Sequence, residues 1–168
     1  MNKFFLLCGF LGAFTLSYAQ DQYVPTALNH VSEDISNELV TAKNAFKKDQ
    51  YTIAFPILEK YKDHAKFDAN SQFCLAYMYH YGLGTAENLE EAVKWYRKSA
   101  ENGSSCAQNN LALMYEKGCG GLPTCKKKAL EFYNASSKGG NQNARENLAR
   151  MGGSSTQKSA SVEFAGCL

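Results

Sequence analysis

From about Ser32 onward the apolar residues of this chain return every three or four positions, and each run stops at a short polar or glycine-rich break. That period is helical. Ile35, Leu39, Ala42, Ala45 and Phe46 mark a first helix, and Asp49-Gln50 interrupts it. Ile53, Ala54, Ile57, Leu58 and Tyr61 mark a second, with Pro56 either near its first turn or bending it. A third helix opens near Asp68–Ser71, any of whose polar side chains can cap it. Phe73, Leu75, Ala76, Tyr77, Met78 and Tyr79 then occupy most of its circumference, the mark of a helix sandwiched between neighbours. Gly82-Leu83-Gly84 ends it, because glycine accepts the left-handed conformation beyond a helix end. Asn88-Leu89-Glu90-Glu91 has the form of a capping box with Asn in place of Ser or Thr. Leu89, Ala92, Val93, Tyr96 and Ala100 continue down one face until Asn102-Gly103.

The chain then says the same thing again. Gln72, Leu75, Tyr79, Gly82 and Gly84 reappear as Gln108, Leu111, Tyr115, Gly118 and Gly120, an offset of 36 (108−72). Beyond the second glycine the offset becomes 37, from Ala92 to Ala129, Tyr96 to Tyr133 and Gly103 to Gly140. One residue has been added in the loop, where insertion costs least. A fixed period of this length predicts an all-α solenoid. Residues 68–103 and 104–140 are the two clear repeats, and 32–67 reads as a degenerate first one. A last helix at 141–151 repeats the opening of a leading helix but is more polar, through Arg145, Glu146 and Arg150, as a terminal cap should be. Residues 20–31 read as an unstructured lead-in. The Gly-, Ser- and Lys-rich residues 152–168 read as a disordered tail.

Composition changes this picture mainly at the N-terminus. Met1-Asn2-Lys3, the apolar run Phe4 to Leu16 and the small residue Ala19 have the form of a signal peptide, residues 1–19, cleaved before Gln20. The expectation is therefore a periplasmic or secreted protein without a membrane span. Loss of Lys3 lowers the formal charge from +2 to +1, which gives no argument for a nucleic-acid partner. Cleavage leaves five cysteines, an odd number for an oxidising compartment.

The pattern A-Q-x-x-L-A-x-M-Y-x-x-G-x-G, followed by A-x-x-W/F-Y-x-x-A/S and a glycine, resembles the Sel-like repeat (SLR), a relative of the tetratricopeptide repeat (TPR). Trp95 and Phe132 stand at its aromatic position. The resemblance implies about two and a half SLR/TPR-like repeats plus a capping helix. Its antiparallel helix pairs would stack into a right-handed superhelical solenoid with a concave face. It also implies a protein-protein interaction module, an adaptor, scaffold or regulator with a protein or peptide ligand. Some cysteine-rich secreted members are linked to penicillin binding or hydrolysis, which makes a β-lactamase-like hydrolase the alternative. Those members carry paired cysteines at the junction between repeats, where this chain has Ala100 and Gln108.

Candidate chemistry is sparse. Gly82-x-Gly84 comes after a helix, not the strand a nucleotide loop requires, and lacks a third glycine. The S-x-x-K string Ser155–Lys158 lies in the tail without S-D-N or K-T-G partners. His30, His64 and His80 show no ligand spacing, so the sequence gives no catalytic, cofactor or metal residues. Cys119 and Cys125 flank a flexible loop that can bring them into disulfide range, with free thiols the alternative. Cys74 and Cys106 lie on adjacent leading helices, where pairing depends on register, and Cys167 is left over. Tyr77, His80 and Tyr81 end the third helix as a candidate partner-binding surface, with core packing the competing role.

Overall fold

The computed structural model describes residues 26–152. Its helices are α1 (Thr26–Lys47), α2 (Tyr51–Tyr61), α3 (Ala69–Tyr81), α4 (Leu89–Glu101), α5 (Ser105–Lys117), α6 (Lys126–Lys138) and α7 (Gln142–Arg150), with no strand among the described residues. The expected signal peptide and tail lie outside those residues. Helix α1 starts at Thr26, so the end of the expected lead-in is helical; from Thr26 on, no Gly or Pro interrupts the chain until Pro56. Helix α2 runs through Pro56, which is exposed at mid-helix.

The chain divides at Asp34/Ile35 into two units. In the unit from Ile35 onward α2 packs on α3, α3 on α4, α4 on α5, α5 on α6 and α6 on α7, a solenoid of antiparallel helix pairs. Leu58, Leu75, Met78, Trp95, Tyr96, Leu111, Met114 and Tyr133 are fully buried between them. The alanines Ala76, Ala92, Ala112 and Ala129 have no exposed surface, so the helices approach closely at those points.

Each repeat begins and ends by the same chemistry. Asp68 and Ser104 cap the leading helices by accepting from the N–H of Ser71 and Ala107. Asn88 does the same for α4, from Glu91. Gly82 and Gly118, at φ 64° and 70°, end α3 and α5 in the left-handed conformation. The second helix of each pair is then tied back twice. The N–H of Asn88 donates to the Tyr79 carbonyl and that of Cys125 to the Tyr115 carbonyl, both at 2.8 Å. The buried hydroxyls of Ser99 and Ser136 donate to the Ala69 and Ser105 carbonyls, at 2.7 and 2.6 Å. Those carbonyls lie in the first turns of the leading helices, so each serine sets how its pair closes.

The second glycine of each G-x-G loop spaces one repeat from the last. A Cβ on Gly84 would meet the Tyr51 carbonyl oxygen of α2 at 2.6 Å, and one on Gly120 the Leu89 carbonyl oxygen of α4 at 2.5 Å. Gly120→Ala is therefore expected to lose about 3 kcal/mol or more, through backbone overlap added to a positive φ. Gly121 also has positive φ but faces open space. Gly121→Ala should cost about 1 kcal/mol, the conformational part alone. Denaturant unfolding of the two variants separates the contributions, and equal losses would mean that the contact carries nothing.

Candidate functional site

Helices α1 and α3 and the start of α5 lie along a groove of about 490 Å³. Val40, Lys43, Asn44, Phe46 and Lys47 come from α1, where their spacing of three and four residues sets them on neighbouring ridges. Helix α3 adds Asn70, Phe73 and Cys74, and the α5 end adds Ser104 and Cys106. Lys43 pairs with Asp68, the cap residue of α3, at 2.9 Å. Burial opposes ionisation of Asp68, but hydrogen bonds from Lys43 and Ser71 outweigh it and hold the carboxyl below its usual range. Lys47, one turn further on, has no charged partner among the described residues.

An aromatic cluster adjoins the groove. Phe46 meets Tyr77 edge-on at 5.6 Å, and Tyr77 meets Tyr81 at 4.6 Å. Tyr81 stacks flat on His80 at 4.3 Å, and His80 meets the edge of Tyr96 at 5.9 Å. Phe73 closes the circuit, 6.0 Å from Tyr96 and 5.9 Å from Tyr77. The cluster grades from core to surface. Tyr96 is fully buried, Tyr77 and His80 are half-buried, and Tyr81 is 53% exposed.

Beneath this surface Asn110 donates to the Tyr96 hydroxyl at 3.0 Å, leaving the hydroxyl proton for His80 Nδ1 at 3.4 Å. That arrangement takes a neutral imidazole with its own proton on Nε2. Burial pushes the His80 pKa down, Glu87 pulls it up and Lys117 adds to the lowering. His80 thus anchors the cluster from below, while the flat face of Tyr81 is what solvent meets.

The three residues expected to form a partner surface are therefore in mutual contact, through Tyr81, and only Tyr81 is largely exposed. Phe46, Phe73 and Tyr96 belong to the same cluster and were not singled out in the sequence. Phe46 had a signal, its place at the end of the apolar face of α1. Its meeting with Tyr77 did not, because that depends on how α1 lies on α3.

The expected Cys119–Cys125 disulfide is corrected by the structure, where Cys119 is a free thiol. Cys125 is 1% exposed and caps α6, its Sγ accepting from the Lys128 N–H at 3.5 Å. It stands 37 residues after Asn88 (125−88), which caps α4, so the repeat turns its side chain toward the helix start. Cys74 and Cys106 line one groove with free thiols, and burial pushes the Cys74 thiol up to about 12, so it stays protonated at neutral pH. Among the described residues no cluster of His, Cys, Asp and Glu is arranged to hold a metal, and no helix is long and apolar enough to cross a membrane. Cys167 and Ser155–Lys158 lie outside the described residues.

Stacked helix pairs, aligned leading helices and a groove along them define a helical-repeat scaffold of the TPR-like class. Residues 69–104 and 107–141 match the Sel1 repeat, so the chain carries two Sel1 (SLR) repeats. It is similar to a Sel1 repeat protein from Oxalobacter formigenes, with 30% identity and a TM-score of 0.63, covering 68% of this chain and 44% of that one. It also resembles c5321, a protective antigen of uropathogenic Escherichia coli with an SLR fold (29% identity, TM-score 0.63, 73% of this chain and 27% of that one). Helicobacter pylori cysteine rich protein B shares the fold at 17% identity and a TM-score of 0.52, over 70% of this chain and 97% of that one. The DAP3-binding cell death enhancer 1 of Rattus norvegicus is 46% identical over 48 residues, 29% of this chain and 9% of that protein. The chain thus spans less than half the length of the first two solved relatives and a small part of the rat protein. Sel1 repeats are protein-interaction modules, typically non-catalytic.

Because the fold lowers the His80 pKa, the unfolded chain binds the proton more readily. Stability should be fully present above the unfolded value of 6.5 and fall as pH drops through it toward the lower folded value. In urea titrations from pH 7.5 to 5, His80→Gln should flatten this slope. An unchanged slope in the variant would place the titrating group elsewhere.

Proposed function

We propose that this protein is a non-enzymatic adaptor or scaffold that acts outside the cytoplasm and holds a protein or peptide ligand against α1 and α3. The observation that carries the reading is the exposed Tyr81 face, joined through Tyr77 and Phe46 to a groove formed by three leading helices. A half-buried aromatic cluster offers a partner large apolar area at little cost in side-chain freedom, since the rings are already held by one another. The site has an anchored base, an exposed ring and an adjoining concavity, the parts from which binding hot spots are built. The N-terminal sequence pattern at residues 1–19, with the form of a signal peptide, is what supports an exported protein.

The test is affinity capture with the chain from Gln20 onward as bait against an extracytoplasmic fraction, read by mass spectrometry. A stoichiometric partner is expected for the wild type. The Tyr77→Ala/Tyr81→Ala double variant, first shown to be folded by circular dichroism, should lose it, with affinity down about 100-fold if both rings are hot spots. A partner retained by the double variant would move the binding surface off α3, and none at any salt concentration would remove the adaptor reading. Fractionation of cells expressing the full chain tests the location. A product beginning at Gln20 outside the cytoplasm is expected, and an uncleaved cytoplasmic chain would overturn that part.

A further inference from the structure

The groove pairs an apolar strip with positive charge, and that combination selects among peptides. Val40 is 50% exposed, and Phe46 and Phe73 are half-buried beside it. Among the described residues two ammonium groups line the groove and no carboxylate does. Lys43 is engaged by Asp68, whose other oxygen accepts from the N–H and hydroxyl of Ser71 at the start of α3. Lys47 has no counter-charge among the described residues, although it stands next to an apolar wall that strengthens its field.

We propose that the groove takes an acidic peptide segment, with an Asp or Glu carboxylate of the ligand against Lys47 and a neighbouring apolar side chain on Val40, Phe46 and Phe73. The proposal rests on the protein-binding reading above and gives it a place and a ligand chemistry. A basic segment would bring like charge against both lysines, and a neutral one would leave Lys47 uncompensated beside buried apolar surface. Nucleic acid needs a track of cations at phosphate spacing, and among the described residues the groove offers one ammonium without a counter-charge. The volume, about 490 Å³, suits a few residues of extended chain. Asn44, Asn70 and Ser104 stand along it with donors and acceptors for the peptide backbone.

The experiment is selection of a random linear peptide library on the full chain, with titration of the enriched peptides. Expected is a consensus with Asp or Glu within two residues of a large apolar side chain. Its affinity should fall with added salt, about 3- to 10-fold in Lys47→Gln and further in Lys47→Glu. Lys48→Glu, which makes the same charge change at an exposed position outside the groove, should bind as the wild type does. Saturating peptide should also slow alkylation of Cys106, the exposed thiol at the rim. A consensus without acids, acidic peptides indifferent to Lys47, unprotected Cys106, or no enriched peptide would each overturn the proposal. So would a dimer that Lys47→Glu dissolves in sedimentation, which would make a second copy of the chain the occupant. If the capture experiment still yields a partner that depends on Tyr77 and Tyr81 but not on Lys47, the adaptor reading stands and this inference alone falls.

Discussion

The spacing between repeats depends on a backbone-to-backbone contact that only glycine permits. Gly84 presses on the carbonyl of Tyr51, and Gly120 on the carbonyl of Leu89. In a solenoid each pair touches only its chain neighbours, so no distant contact can correct a mis-set junction. An added methyl group would have to push one helix pair away from the next. Tyr79 and Tyr115, whose hydroxyls pair with Glu59 and Arg97 on the preceding pair, would move with it. The groove depends on the same spacing, because α1, α3 and α5 converge along it only while the pairs stay in register.

Within that frame, the buried polar side chains are used to close the repeat. Buried Ser99 and Ser136 commit their hydroxyls to helix carbonyls, Asn102 bonds Gln72 at 2.9 Å, and Asn147 bonds Asn109 at 3.1 Å. A buried hydroxyl or amide left unpaired costs more than the bond itself contributes, so these positions specify register at least as much as they stabilise. What remains for a partner is the set of groups the repeat does not consume. On α1 and α3 that set includes Tyr81, Lys47 and Val40.

Helix class, both repeats and their glycine stops were readable because each rests on local chemistry: period, cap and left-handed turn. Asn88 and Gly82 behave as their residue types and positions dictate. The Cys119–Cys125 pairing misled because two cysteines flanking a flexible loop look like disulfide partners, whereas Cys119 is free. The register of Cys125 with Asn88 carried a separate signal, that its side chain caps α6. The candidate surface was half legible. Tyr77, His80 and Tyr81 sit close together in sequence, but no helical pattern reveals that His80 is held from below by Tyr96 or that Phe46 arrives from α1. Those contacts belong to packing between elements.

The two clear copies also suggest where specificity lies. At offset 36 (116−80) His80 corresponds to Glu116, and at offset 37 (133−96) Tyr96 corresponds to Tyr133. Both pairs meet, His80 with the Tyr96 hydroxyl and Glu116 with that of Tyr133 at 2.8 Å, so the geometry of the position is common to the fold. The chemistry placed there is not. Arg150 of α7 clamps Glu116 with two bonds of 2.7 Å, and that ion pair holds the carboxyl below its usual range and closes the end of the stack. Among the described residues His80 meets no such clamp; it carries Tyr81 on its face instead, where the second copy has Lys117. One structural position therefore serves closure in the last repeat and presentation of an aromatic ring in the one before. The residues that break the repeat, not those that keep it, are the ones through which this scaffold can tell one ligand from another.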